Sequence, residues 1–334
     1  MIKVGLIGYG YWGPNLLRNF SSTSNCIVKI VSDQRDERLE VVKQLFPNVK
    51  VSRNPLDIIN DNNIDAVIVA TPVFTHFKLA KLAMEKNKHV LIEKPMTSTY
   101  EESQILLDIA GSKNLCLMVD HTFLYTSAVE KMKGLIDGNV LGKLNYFDST
   151  RINLGLFQPD VNVLWDLAPH DLSILFHLIS ENPVSVNATG ISHTNNRIEN
   201  IAYLTINFQN NFIAHINCSW SSPVKVRSTL VGGSEKMIIY NDLEPSDKIR
   251  LYDTSYSHKT DEEKSRVLVD YRVGDIQIPK LSAKEALSGV ASDFINSIIN
   301  ETLPLSNGFL GQSVVKILEA SQKSIKTNGK EVII

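Results

Sequence analysis

The sequence predicts an α/β protein: a doubly wound parallel sheet in the N-terminal third, then an α+β domain built on short alternating strands. Three observations carry this. The first third alternates almost wholly apolar runs with amphipathic segments, the pattern of a parallel sheet covered on both faces by helices. From about residue 142 the runs become short and alternating, with polar turn signals such as "QNN" and "GGSE" between them. A length of 334 residues also exceeds the ~250–300 that one hydrophobic core usually encloses. Domains are expected at 1–120 and 121–334.

Taken in order, "IKVGLIG" is a strand running into the glycine turn "YGYWG". Leu16, Leu17 and Phe20 give the following "PNLLRNF" a helical stripe, and Pro14 suits its first turn, where a missing N–H costs nothing. "CIVKIVSD" is a strand ending in Asp33, and "ERLEVVKQLF" a charged helix. "IDAVIVATP" and "HVLIEKP" are strands on either side of the helix "THFKLAKLAMEKN". "CLMVDHTFLYTSAVEKMKGLIDG" reads as a strand, a turn and a helix leading into the second domain. There "KLNYFDSTRI", "VSVNATGI", "IAYLTINF", "FIAHINCSW", "RSTLVGG" and "KMIIYN" read as strands, before helices return in "SAKEALSGVASDFINSII" and "ILEASQKSIKTNGKEV". "WDLAPHDLSILFHLIS" holds an amphipathic helix, with Leu172, Leu175, Phe176 and Ile179 at i, i+3, i+4 and i+7. Pro169 fits a first helical position, so this helix is expected to start near it, with His170 in the first turn and Asp166 just outside.

A net charge of −2 leaves no electrostatic footprint for nucleic acid or an anionic membrane. Cys26, Cys116 and Cys218 lie far apart, which argues against a disulfide framework or a thiolate zinc site and for core thiols in a reducing compartment. The opening residues show no leader, and no apolar run approaches the ~20 residues of a membrane span, so a cytoplasmic location is expected.

Gly8, Gly10 and Gly13 form G-x-G-x-x-G. Alone the pattern is weak. Here it follows a strand, opens a helix and is trailed by Asp33 twenty residues after the third glycine, the context of a dinucleotide-binding Rossmann turn. A carboxylate at Asp33 can bond the adenosine ribose 2′-OH and repels a 2′-phosphate, which points to NAD as cofactor. Arg35 and Arg38 could offset that repulsion, but they read more simply as a solvated helix start.

"GYGYWG", "VATPVFTH", "EKP" and "WDLAPHD" together resemble the Gfo/Idh/MocA oxidoreductases, over the whole length of the chain. The resemblance implies a Rossmann domain followed by a domain whose open, largely antiparallel sheet mediates homo-oligomerisation as a dimer or tetramer. It implies cofactor contacts from Gly8, Gly10, Tyr11, Trp12, Gly13, Asp33, Thr71, Pro72, His76, Glu93 and Lys94. It also makes Lys94, Asp166 and His170 catalytic. Substrate contacts fall to Lys94, Asp166 and His170 with His121, Tyr125, Arg151 and Asn153. No metal is implied, and Trp220 reads as core or sheet packing.

The residues support that chemistry on their own terms. Lys94 stands at the carboxyl end of a strand, where open α/β sheets bind ligands, and can hold a developing ketone oxygen. At a helix mouth an imidazole tends to stay neutral and can take a proton from an alcohol. His170 is therefore the expected base and Asp166 its orienting carboxylate, although Lys94 as base remains open. A capping aspartate beside an exposed histidine is the plainer alternative. The forms "RINLG" and "VGGSEKMIIYNDLEPSDKIRLYD" look most like the branch of nucleotide-sugar 3-dehydrogenases. That branch implies a UDP-sugar, above all UDP-N-acetylglucosamine, oxidised at C3. A PLP-dependent aminotransferase would use the product for lipid A or surface glycans. An inositol or free-sugar dehydrogenase, and a non-catalytic NAD-binding sensor, are the alternatives.

Overall fold

The computed structural model describes residues 1–155, 157, 158, 160–258 and 269–334. They divide into two compact units, 1–126 with 284–316, and 127–283 with 317–334. A single boundary at residue 121 does not describe this division, because the chain comes back to its first unit late in the sequence.

The first unit carries β1 (Ile2–Ile7), α1 (Gly13–Ser22), β2 (Cys26–Ser32), α2 (Asp36–Leu45), β3 (Lys50–Ser52) and α3 (Leu56–Ile59). It continues with β4 (Ala66–Val69), α4 (Val73–Glu85), β5 (His89–Glu93), α5 (Tyr100–Lys113) and β6 (Leu117–Asp120), then a 3-10 turn at Thr122–Tyr125. The sheet order is β3-β2-β1-β4-β5-β6 and every pairing is parallel. Buried on both faces, β4 and β6 show no inside–outside alternation. Leu6, Leu16, Leu17, Val67, Leu91 and Met118 are fully enclosed, and each such side chain contributes about 1.5–3 kcal/mol on burial.

Later in the chain, α8 (Ala286–Asn300) joins this unit, packing on α1 and on the 3-10 turn. Leu287, Val290, Ala291, Phe294 and Ile295 form its buried stripe. Phe294 meets Phe20 edge-on, with ring centroids 6.1 Å apart. That stripe gives α8 its packing against α1.

In the second unit stand α6 (Ser127–Asp137), β7 (Leu144–Leu154), α7 (Val163–Leu178), β8 (Pro183–Ile191), β9 (Ile201–Phe208) and β10 (Ile213–Ser219). There follow β11 (Ser221–Gly233), β12 (Met237–Asn241), β13 (Ile249–His258), β14 (Val269–Gln277) and β15 (Val332–Ile333). The chain's last helix, α9 (Gly308–Lys326), is divided between the units after Lys316. Among the described residues the strands form one sheet, β14-β13-β12-β11-β7-β10-β9-β8-β15, antiparallel except where β7 meets β10. Alternation places Ala202, Leu204, Ile206, Ala214 and Ile216 on the buried face, and α7 packs against β7, β9 and β10.

The start of α7 differs from the expectation. Asn162 caps it, accepting from the Trp165 N–H at 3.2 Å, and Pro169 lies inside the helix. A proline there gives up only the bond to the Trp165 carbonyl, and the cap outweighs that signal. Asp166 is therefore in the first turn and His170 one turn further in, on the same side of the helix. Asp171 faces the sheet instead. Its carboxylate takes Arg151 Nε at 2.7 Å and Arg151 Nη2 at 3.0 Å, with Ser149 Oγ donating at 2.9 Å. This buried pair between β7 and α7 sets the rotation of the helix about its axis.

Candidate active site

The glycine turn leaves β1 and enters α1. Gly8 has φ +100°, and a Cβ on it would lie 2.4 Å from the Ala70 carbonyl oxygen. One on Gly13 would lie 2.5 Å from the Gly8 oxygen. Gly10 is different: a Cβ there meets only Arg35 Nη2, at 3.7 Å. The protein's own packing requires the outer two glycines, whereas the bare middle one leaves room for a pyrophosphate to reach backbone N–H groups. A dinucleotide fits this cradle.

At the end of β2, Asp33 Oδ2 accepts the Tyr9 N–H at 2.8 Å and Arg35 Nη2 at 3.0 Å, while Oδ1 takes Arg35 Nε at 2.9 Å. Burial pushes this carboxyl up, but the Arg35 guanidinium and the Arg35 and Tyr9 N–H groups more than offset it and hold it below the usual range. Arg35 is thus engaged on Asp33 rather than merely solvated. Tyr11 projects from the turn with 91% of its surface exposed.

Across the same sheet edge, the ends of β4, β5 and β6 gather the other first-unit residues. Thr71 and Pro72 follow β4; Glu93 closes β5, Lys94 follows it, and the Lys94–Pro95 peptide is cis. His76, on α4, is buried rather than open to a cofactor. Its Nε2 lies 2.7 Å from the Thr71 carbonyl and its Nδ1 2.9 Å from that of Pro95, so it ties the two strand ends together. His121 and Tyr125 are likewise enclosed. His121 is fully buried, and burial with the nearby Lys94 charge drives its pKa down to about 3, so it stays neutral. Tyr125 donates to Asp293 Oδ2 at 2.6 Å and accepts from the Ser306 N–H. Neither presents an exposed side chain.

In the second unit, Asp166 and His170 share one side of α7, and both are partly exposed. Trp220, at the corner between β10 and β11, donates its Nε1–H to Asp166 Oδ2 at 3.0 Å. The indole is itself enclosed and held: its backbone N–H reaches the Asn200 carbonyl at 2.9 Å, and its carbonyl takes the Gly155 N–H at 3.0 Å. A Cβ on Gly155 would lie 2.8 Å from Trp220 Cδ1, so the glycine makes the slot the ring occupies. Asn153 is half-buried near that slot. Arg151 is a correction: 4% exposed and bidentate on Asp171, it is a framework group and offers no open guanidinium to a substrate.

Family models place this geometry. Residues 2–121 match the oxidoreductase family's NAD-binding Rossmann fold, and residues 129–239 match the GFO/IDH/MocA C-terminal domain. The chain belongs to the Gfo/Idh/MocA oxidoreductase family. Its members include a UDP-N-acetylglucosamine 3-dehydrogenase of Acidithiobacillus ferrooxidans, 28% identical over 226 residues, 65% of this chain and 67% of that protein. The NADP(+) scyllo-inositol 2-dehydrogenase IolW of Bacillus subtilis is 29% identical over 252 residues, 70% of this chain and 63% of that one. Alignments with such curated relatives span from about half to two thirds of their length, 51% to 67%. The solved structure of the Acidithiobacillus ferrooxidans enzyme superposes with TM-score 0.79 at 22% identity, over 98% of both chains, which establishes the shared fold.

Within this Gfo/Idh/MocA chain, two contacts, one in each unit, escape a reading of the sequence. Trp220 reaches Asp166 across 54 residues, and Asp120 takes the Trp12 indole across 108. No local spacing signals either contact. The glycine in "INLG" hints at a large neighbour for Gly155 but does not say which.

Proposed function

We propose that this chain oxidises a secondary hydroxyl of a sugar nucleotide with NAD, and that UDP-N-acetylglucosamine, oxidised at C3, is its substrate. The observation that carries the oxidation is the Asp166–His170 pair on one side of α7, with Asp166 held by Trp220, in a chain whose other unit has a dinucleotide cradle. The relative of that activity supports the choice of substrate.

The glycine turn and Asp33 hold the dinucleotide, which supplies the hydride acceptor when bound. His170 takes the hydroxyl proton as the C–H bond breaks. Asp166 orients the imidazole and stabilises its charged form, and Trp220 fixes the carboxylate that does so. Lys94 donates to the substrate oxygen as it becomes a carbonyl. Two phosphates and a uracil need polar partners other than Arg151. The remainder of the proposal is a homo-oligomer formed through the sheet face opposite α7, where Tyr203 and Ile213 are exposed, and an aminotransferase that consumes the 3-keto sugar.

Lys94→Ala and His170→Ala are each expected to lower kcat by at least ~10², the scale of a lost acid–base or electrostatic group, with NAD affinity changing little because neither belongs to the glycine turn. UDP is expected to raise the melting temperature of the NAD-bound protein, as a ligand selective for the folded state does. Oxidation of scyllo- or myo-inositol with no stabilisation by UDP favours the cyclitol reading, which the IolW relative supports. Near-normal turnover in both variants overturns the assignment of roles.

A further inference from the structure

The carboxyl ends of β5 and β6 carry two acids that this reaction leaves unused. Glu93 and Asp120 are register partners at the ends of neighbouring parallel strands. Register partners on parallel strands present their side chains on the same face, so the two carboxyls are neighbours. Two carboxylates are acceptors only, so a hydrogen bond between them requires one shared proton. Trp12 Nε1 donates to Asp120 Oδ2 at 2.8 Å and Thr122 Oγ1 to Asp120 Oδ1 at 2.6 Å. Both donors favour a charged Asp120, which puts the proton on Glu93. Burial, and then the Asp120 charge, push Glu93 well above the usual carboxylate range.

The groups facing this pair do not compete for the proton. Lys94, beside Glu93, contributes a positive charge that draws both acids toward ionisation. His121, next to Asp120, is neutral, with its pKa near 3. His76, on α4, is held below the usual histidine range by burial, its ring placed between two carbonyls. Trp12 and Thr122 do not titrate here. The pair is therefore the element of this cluster whose proton content is left to change.

Its position ties it to the cofactor. Asp33, at the end of β2, assigns the adenosine half of the dinucleotide to β1–β3, which leaves β4–β6 for the nicotinamide nucleotide. Trp12 belongs to the pyrophosphate turn and bonds the pair directly. The oxidised nicotinamide ring is a cation and the reduced ring is neutral, so only the first adds positive charge to this half of the sheet. We propose that Glu93 and Asp120 hold one shared proton and release it to solvent when the oxidised dinucleotide binds, so that the pair passes from one negative charge to two. The pair thereby distinguishes NAD+ from NADH by charge. The inference rests on dinucleotide binding and is independent of which sugar is oxidised.

Linkage fixes the signs. A ligand that expels a proton binds more tightly as pH rises, with a limiting slope of about tenfold per pH unit for one proton. The test is calorimetric titration of the full-length protein with NAD+ and with NADH, at pH 6 to 9, in buffers of different ionisation enthalpy. Expected are up to one proton released per NAD+, tighter NAD+ binding with rising pH, and no proton release with NADH. Glu93→Gln, which keeps a donor toward Asp120, and Asp120→Asn are expected to abolish both the release and the pH dependence for NAD+. Equal proton numbers for NAD+ and NADH overturn the proposal, as does release from Glu93→Gln that matches the wild type. The comparison of the two redox forms needs no variant, so it decides the matter even if Asp120→Asn fails to fold.

Discussion

Arg35 lies across Asp33 through contacts of 2.9 and 3.0 Å, so the carboxylate proposed to read an adenosine ribose already carries a partner. A 2′-phosphate meets both the repulsion of Asp33 and the attraction of Arg35, and the balance sets cofactor choice. Removing the arginine leaves the repulsion uncompensated. Arg35→Ala is expected to widen the preference for NAD over NADP by about tenfold, the scale of one charge-assisted hydrogen bond, and Asp33→Ala to erase it. Dissociation constants for the two dinucleotides check both; a preference for NADP in the wild type contradicts the account. Trp220 makes a second case. Trp220→Phe keeps an aromatic ring in the slot beside Gly155 but removes the donor to Asp166. A hydrogen bond to a charged group is worth about 1.5–3 kcal/mol, so kcat is expected to fall at least tenfold, with unchanged NAD affinity. An unaltered kcat separates Trp220 from the function of Asp166. The glycine turn was legible because its spacing is local. Trp220 was not, because its partner is 54 residues away. Arg151 misled for the same reason: a cation near a motif reads as a ligand until its buried partner is located.

Among the elements, α7 decides the geometry of the Asp166–His170 pair. Its cap at Asn162 sets where it begins, and the Arg151–Asp171 pair, 2.7 Å at its shorter contact, sets its rotation. Asp171→Asn strands a buried guanidinium, and breaking a buried pair from one side costs about 3–5 kcal/mol. Urea unfolding of the variant is expected to show a loss of that order. A shift below about 1 kcal/mol, the scale of an exposed pair, would mean that Asp171 is not what holds the helix. The amphipathic stripe of α7 was evident from its period, but its start was not. Pro169 is a strong local start signal, and the competing cap at Asn162 shows its strength only through its bonds to Trp165, Glu199 and Gln322. In the parallel sheet, by contrast, strand and helix signals never conflict. The runs that become β4 and β5 are apolar on both faces at their centres and too short for helices.

For the molecule as a whole, the change of pattern near residue 142 announced the passage from a parallel to a largely antiparallel sheet. What it did not announce is the return of residues 284–316 to the first unit. The stripe of α8 shows that the helix is buried but not which partner it has, and α1 is distant in sequence. The central claim, hydride transfer from C3 of a nucleotide sugar to NAD, is tested most directly by isotope. UDP-N-acetylglucosamine carrying deuterium at C3 is incubated with the protein and NAD, and the reduced dinucleotide is examined by mass spectrometry and NMR. The account predicts one deuterium at C4 of the nicotinamide ring and a 3-keto sugar in equal amount. Reduced dinucleotide without deuterium, or no reduction with this sugar while an inositol is oxidised, would contradict it.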